Sequence, residues 1–264
     1  YAPREKRQKK RLKNPHSWCI IENGYVCART IRRGNNDMKY KYLLFDADDT
    51  LLDFRRSERE ALTDAMLRFG IHPTEGLIKG YSEINDSLWK LLERGGIGKN
   101  ELRVRRFELF AEKYGLDADP HMLAAEYTDR LAEKSFPVNG AVELCASLWG
   151  KYRMFIITNG IKNIQESRLG ASELKQYIEK SFISEEMGAE KPSPLFFDRV
   201  ASAIYGFDRS LALVIGDSLT SDIAGGIAAG IDTCWFNPRR KAPVDGIVPT
   251  YEIHALDELY RVLE

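Results

Sequence analysis

The pattern of apolar and polar positions divides the chain near residue 38. Beyond it, Tyr40-Lys41-Tyr42-Leu43-Leu44-Phe45 is a short apolar, aromatic run that stops abruptly at acids, as a buried parallel strand does. Helical spacing follows. Ser57-Glu58-Arg59-Glu60 has capping-box spacing, and Ala61, Leu62, Ala65, Met66 and Phe69 share one face up to Gly70. A second helix is expected from Thr74 to the pair Gly95-Gly96, with Leu77, Tyr81, Ile84, Leu88 and Leu91 on its face. A third, over residues 99–114, buries Leu102, Phe107, Phe110 and Tyr114, and a fourth runs from Pro120 to Lys134. Four helices joined by short loops form a small bundle.

From Phe136 the pattern changes to strand-helix alternation. Arg153-Met154-Phe155-Ile156-Ile157 ends in Thr158-Asn159-Gly160. Phe182-Ile183 is a weaker strand, followed by Lys191 and a helix holding Phe196, Phe197 and Val200. Leu211-Ala212-Leu213-Val214-Ile215 ends in Gly216-Asp217 before a helix of small residues. Thr233-Cys234-Trp235-Phe236 is a further strand, and a short strand near 251–253 and a last helix close the chain. Such alternation predicts the α/β class, a mainly parallel sheet with helices on both faces. The expected division is a core of residues 38–53 and 136–264, interrupted by a helical insertion over 54–135.

Residues 1–37 read differently. They hold ten Lys/Arg against three acids, a balance of +7, so the zero net charge of the whole leaves the remainder at −7. Residues 4–13 are a basic run, and Asn23-Gly24 between two mildly apolar strings is a hairpin signal. This segment is expected to be a leader outside the fold, disordered or foreign to the domain that follows Met38. An acidic body argues against nucleic acid as a partner of that domain, though not against a small phosphate-bearing substrate.

Composition adds little that is specific: 44% hydrophobic and 30% charged residues over 264 positions are those of a globular protein. Four scattered cysteines without a C-x-x-C pair indicate neither a zinc knuckle nor a disulfide framework and suit a cytoplasmic compartment. No apolar stretch reaches the roughly 18–20 residues of a membrane span.

The chemistry lies at the predicted strand ends. In an open parallel sheet, ligands bind beyond the carboxyl ends of the strands. Asp46 and Asp48 follow one strand, Thr158 another and Asp217 a third, while Lys191 precedes a helix. Packed carboxylates repel unless a cation neutralises them, and an oxygen-rich site suits Mg²⁺. A carboxylate can attack phosphorus, a second one can serve the leaving oxygen as acid and base, and a hydroxyl and an ammonium can hold phosphoryl oxygens. Taken singly these signals are weak: a lone Thr after a strand is more often a helix cap, and a lone Lys-Pro is usually a solvated loop. Their order along the chain is what carries weight.

Asp46-Ala47-Asp48-Asp49-Thr50, Ile157-Thr158-Asn159-Gly160, Lys191-Pro192 and Gly216-Asp217-Ser218-Leu219-Thr220-Ser221-Asp222 together resemble the four motifs of the haloacid dehalogenase-like hydrolases. The resemblance spans essentially all of 38–264. It implies a Rossmann-like core with a helical cap over 54–135, Asp46 as nucleophile and Asp48 as acid/base. It further implies Mg²⁺ held by Asp46, Asp217 and the carbonyl of Asp48, with Asp222 behind them, and phosphate bound by Thr158, Asn159 and Lys191. Asp48-Asp49-Thr50-Leu51-Leu52-Asp53-Phe54 and the second and fourth motifs are most similar to the pyrimidine 5′-nucleotidase branch, which implies UMP, dUMP or dTMP as substrate. The alternatives are a phosphatase of a sugar phosphate or phosphoglycolate, then a 2-haloacid dehalogenase or a non-catalytic regulatory protein. Trp89, Tyr81 and Phe107 are candidates to stack on a base, and Arg103, Arg105 and Arg106 to meet an anion. Core packing and a solvated helix face are the plainer readings of those six.

Overall fold

The computed structural model describes residues 38–264 and the backbone of 20–21 and 24–25. The chain falls into two compact units, Tyr1–Asp37 and Met38–Glu264. In the first, strands β1 (Ile20–Ile21) and β2 (Gly24–Tyr25) pair antiparallel, Ile21 with Gly24, so Gly24 lies in the ladder rather than at its turn. The expectation of a leader outside the fold concerns residues that otherwise lie outside those described.

In the second unit six strands form one parallel sheet: β3 (Tyr42–Phe45), β4 (Arg153–Thr158), β5 (Lys180–Ile183), β6 (Ala212–Gly216), β7 (Asp232–Phe236) and β8 (Tyr251–Ile253). Their order across the sheet is β5-β4-β3-β6-β7-β8, the doubly wound arrangement, and the direction of winding reverses between β3 and β6. Alternation along each strand feeds two apolar layers. Leu43, Phe45, Met154, Ile156, Leu213 and Ile215 pack on one face with helices α5 (Ala141–Leu148) and α10 (Leu259–Leu263). Tyr42, Leu44, Phe155, Ile157, Ala212 and Val214 pack on the other against Phe196, Phe197 and Val200 of α8 (Pro194–Ala203). Strands buried on both faces are why these segments read as continuous apolar runs.

Between β3 and α5 the chain forms four helices, α1 (Phe54–Arg68), α2 (Glu75–Glu93), α3 (Lys99–Tyr114) and α4 (Pro120–Ala132). The first starts earlier than its capping-box spacing suggests. Asp53 caps it, accepting from the Arg56 N–H at 2.9 Å, and the Ser57 hydroxyl instead donates to the Asp53 carbonyl inside the first turn. The helices share a cluster centred on the rings of Tyr81, Phe107, Phe110 and Tyr127, and Ile161 and Ile164 of the core pack into it. The chain leaves and re-enters the core side by side: Leu52 pairs with Pro137, the Asp53 N–H donates to the Phe136 carbonyl at 2.8 Å, and the Val138 N–H to the Leu51 carbonyl at 2.9 Å. Among the described residues no helix is long and apolar enough to cross a membrane.

Candidate active site

The winding reversal leaves a crevice beyond the carboxyl ends of β3 and β6, and the acids of the sequence converge there. Asp46 follows β3 directly and Asp217 follows β6. Oxygen atoms of Asp46, Asp217 and Asp222 lie within 4.8 Å of one another. Asp222 reaches this point by folding back beneath the end of β6, where a Cβ on Gly216 would stand 2.2 Å from its Oδ2; the space exists only because residue 216 is glycine.

Lys191 neutralises part of this charge. Its Nζ donates to Asp46 Oδ1 and Asp222 Oδ1, both at 2.6 Å, and to the Ile157 carbonyl at 2.8 Å, and the residue is buried. Burial by itself pushes the ammonium down, yet Asp222 and Asp46 outweigh it and the Lys191 pKa is raised. One ammonium between two carboxylates leaves negative charge over. Burial, opposed by Lys191 but aided by the charges of Asp222 and Asp48, holds the Asp46 carboxyl well above its usual range. Burial likewise pushes Asp217 up to about 6, against the pull of Lys241 at 2.9 Å. Both Asp222 oxygens are already engaged, Oδ1 by Lys191 and Oδ2 by the Ser218 N–H at 3.1 Å. Asp46 and Asp217, with Oδ1 and Oδ2 respectively bonded by Lys191 and Lys241, each keep one oxygen for a hard cation, and an all-oxygen donor set fits Mg²⁺.

Asp48 lies beside this group with both oxygens held from α6 (Lys162–Ala171). Arg168 Nη1 bonds Oδ1 at 2.5 Å and Gln165 Nε2 bonds Oδ2 at 2.9 Å. Thr158 ends β4 with its hydroxyl turned inward, accepting from the Gly160 N–H at 3.0 Å and from Gln165 at 2.8 Å. The Asn159 side chain is spent on the loop of Lys191: Nδ2 donates to the Lys191 carbonyl and Oδ1 accepts from the Lys191 N–H.

All seven residues singled out in the sequence (Asp46, Asp48, Thr158, Asn159, Lys191, Asp217 and Asp222) line one cavity of about 510 Å³. It is also lined by Asn85, Asp86, Trp89, Lys90 and Glu93 of α2, and Glu93 Oε2 accepts from the Thr220 hydroxyl at 2.7 Å. Of the aromatic candidates, Trp89 lines the cavity, whereas Tyr81 and Phe107 are buried in the helical cluster with their rings 5.0 Å apart. The arginine candidates do not line it. Arg103 pairs with Glu185, Arg105 with Glu108, and Arg106 donates to Asn85.

Sequence reasoning passed over Gln165, Arg168, Arg239 and Lys241. The first two had a signal: they share the buried face of α6 with Ile164 and Leu169, where polar side chains need a partner. Arg239, 3.5 Å from Asp49, and Lys241 sit in an aperiodic loop after β7 that gives no such hint.

A doubly wound sheet with acids at its switch point defines a hydrolase of the haloacid dehalogenase-like class, and the chain belongs to that family: the family profile matches residues 40–230. Over 225 residues it is 40% identical to the HAD-hydrolase YfnB of Bacillus subtilis, covering 85% of this chain and 96% of that protein. It is 40% identical to the pyrimidine 5′-nucleotidase PynA of Streptococcus pneumoniae (86% and 96% covered) and 35% identical to the pyrimidine 5′-nucleotidase YjjG of Escherichia coli (86% and 99%). A crystal structure of YfnB bound to magnesium matches with a TM-score of 0.82 at 39% identity, covering 86% of this chain and 99% of that one.

Proposed function

We propose that the chain is a Mg²⁺-dependent phosphomonoesterase acting through an aspartyl-phosphate, with pyrimidine nucleoside 5′-monophosphates as substrates. The observation that carries the reading is the juxtaposition of Asp46, Asp217 and Lys191 at the switch-point crevice, with Asp48 beside them. The names of the relatives PynA and YjjG support the substrate class.

In this reading 54–135 is the cap over a core of 38–53 and 136–264, and residues 1–37 take no part in the chemistry. Asp46 and Asp217, with the Asp48 carbonyl, would hold the Mg²⁺, which supplies positive charge to the phosphoryl oxygens. Lys191 and Thr158 hold the remaining phosphoryl oxygens, and Asn159 holds the loop of Lys191. An Asp46 oxygen attacks phosphorus, the ester P–O bond breaks, and Asp48 gives its proton to the departing nucleoside oxygen. Asp48 then takes a proton from water as that water attacks phosphorus. The bond to Asp46 breaks and phosphate leaves. Trp89 offers an aromatic face to the base. Cys145 and Cys234, buried free thiols, suit a reducing, cytoplasmic setting.

The test is phosphate release from UMP, dUMP, dTMP, purine nucleotides, sugar phosphates and phosphoglycolate, with Mg²⁺ and with EDTA. The expected result is metal-dependent release, fastest from the pyrimidine nucleotides. Equal rates in EDTA would remove the metal from the mechanism, and a preference for phosphoglycolate or a sugar phosphate would replace the nucleotidase reading.

A further inference from the structure

We infer that Arg168 and Gln165 are positioning residues for Asp48, and that Arg168 couples this acid to the seam from which the helical insertion hangs. The inference rests on the acid/base role proposed for Asp48.

Arg168 is a charged side chain buried to 1% exposure, and every polar atom of its guanidinium is used. Nη1 bonds Asp48 Oδ1 at 2.5 Å and Gln165 Oε1 at 3.0 Å. Nε donates to the Lys134 carbonyl at 2.9 Å, in the segment that leaves α4, and Nη2 reaches the Ser57 hydroxyl at 3.4 Å, in the first turn of α1. The Arg168 carbonyl accepts from Ser135 at 2.7 Å. A single guanidinium thus joins the acid to both ends of the insertion, using the planar fork that a lysine lacks.

Gln165 completes the mount. Its Nε2 bonds Asp48 Oδ2 and Thr158 Oγ1 together, which sets the spacing between the acid and the hydroxyl. Gly160 makes the room, since a Cβ there would lie 2.6 Å from the Gln165 side chain. Two of the lone-pair directions of Asp48 are taken from α6. The others, on a carboxylate 27% exposed, remain for a leaving oxygen or a water. Because its anchors are the insertion's two ends, a shift of the insertion is transmitted to the aim of Asp48.

A proton matters for a nucleoside leaving oxygen and little for p-nitrophenolate. Leaving-group release in the first turnover is therefore to be measured for UMP and p-nitrophenyl phosphate in Arg168→Met and Arg168→Lys. The expected result is a fall of about 100-fold for UMP with p-nitrophenol release within about fivefold of wild type in Arg168→Met. Arg168→Lys keeps the charge without the fork and should show the same inequality at a smaller loss. It also carries the test if the methionine variant does not fold. Equal losses on both substrates, or no loss on either, would overturn the inference. Asp48→Asn tests the underlying role separately: if it still releases uridine at the wild-type rate, the acid/base reading fails whatever the arginine variants do.

Discussion

Asn159 and Lys191 clasp each other through two reciprocal hydrogen bonds, Asn159 Nδ2 to the Lys191 carbonyl at 2.8 Å and the Lys191 N–H to Asn159 Oδ1 at 2.9 Å. The turn after β4 and the loop before α8 are thereby one rigid piece. Asn159→Ala leaves a buried donor and acceptor unmatched, at a cost of about 1–3 kcal/mol. Urea unfolding should show that loss, and steady-state kinetics a raised KM for phosphate esters. Asn159→Asp, which keeps the acceptor alone, should fall between. Unchanged stability in the alanine variant would mean that the clasp does not hold the loop.

Lys191 is the ammonium that lets Asp46 and Asp222 share a buried space. Lys191→Met strands two carboxylates and should destabilise the fold by about 3–5 kcal/mol, as breaking buried pairs does. The double variant Lys191→Met/Asp222→Asn should recover part of the stability and none of the turnover. A double variant no more stable than the single one would contradict the pairing.

Cation binding should be visible without catalysis. A cation that binds only the folded state stabilises it, by about 2.7 kcal/mol at 100 times its Kd. Thermal melts should therefore shift upward with Mg²⁺ and return to the starting value in EDTA. Asp217→Asn should lose most of the shift, while Asp86→Asn, a cavity-lining change further up α2, should keep it. A full Mg²⁺ shift in Asp217→Asn would place the cation elsewhere.

Glu58 offers a pH test away from the acid centre. It is buried in the insertion, accepting from Ser82 and from Asn85 Nδ2 at 2.8 Å, and burial raises its pKa above the ordinary 4.5. The folded state then holds more protons than the unfolded one between 4.5 and the raised value, so stability falls as pH rises through that window. Glu58→Gln removes this slope. Melting temperature against pH should show the variant gaining on wild type from below 4.5 upward, with no further gain once Glu58 is ionised in both states. Parallel curves would refute a raised Glu58.

Much of this architecture could be read from the chain because burial on both sheet faces writes a plain signal. Leu43–Phe45, Phe155–Ile157 and Leu213–Ile215 have no polar interruptions, and the acids and Thr158 begin where the strands stop. The functions of single side chains were harder to read. Asn159 faces sideways into the Lys191 loop, a direction that no local spacing encodes. Gln165 and Arg168 look like any polar residues one turn apart until Asp48, 117 and 120 positions earlier, is seen bonded to both. Arg103 and Arg106 are spent on Glu185 and Asn85, partners supplied by tertiary packing alone.

The seam of Leu51–Asp53 with Phe136–Val138 has a consequence for how such a molecule can vary. The single bridge of Leu52 with Pro137 brings the two ends of an 82-residue excursion, 54–135, to within about 5 Å of each other. That excursion contributes no strand to the six-stranded sheet. A different helical module joined at the same seam would face the same acids only if it also matched Ile161, Ile164 and Arg168, which meet the four helices here.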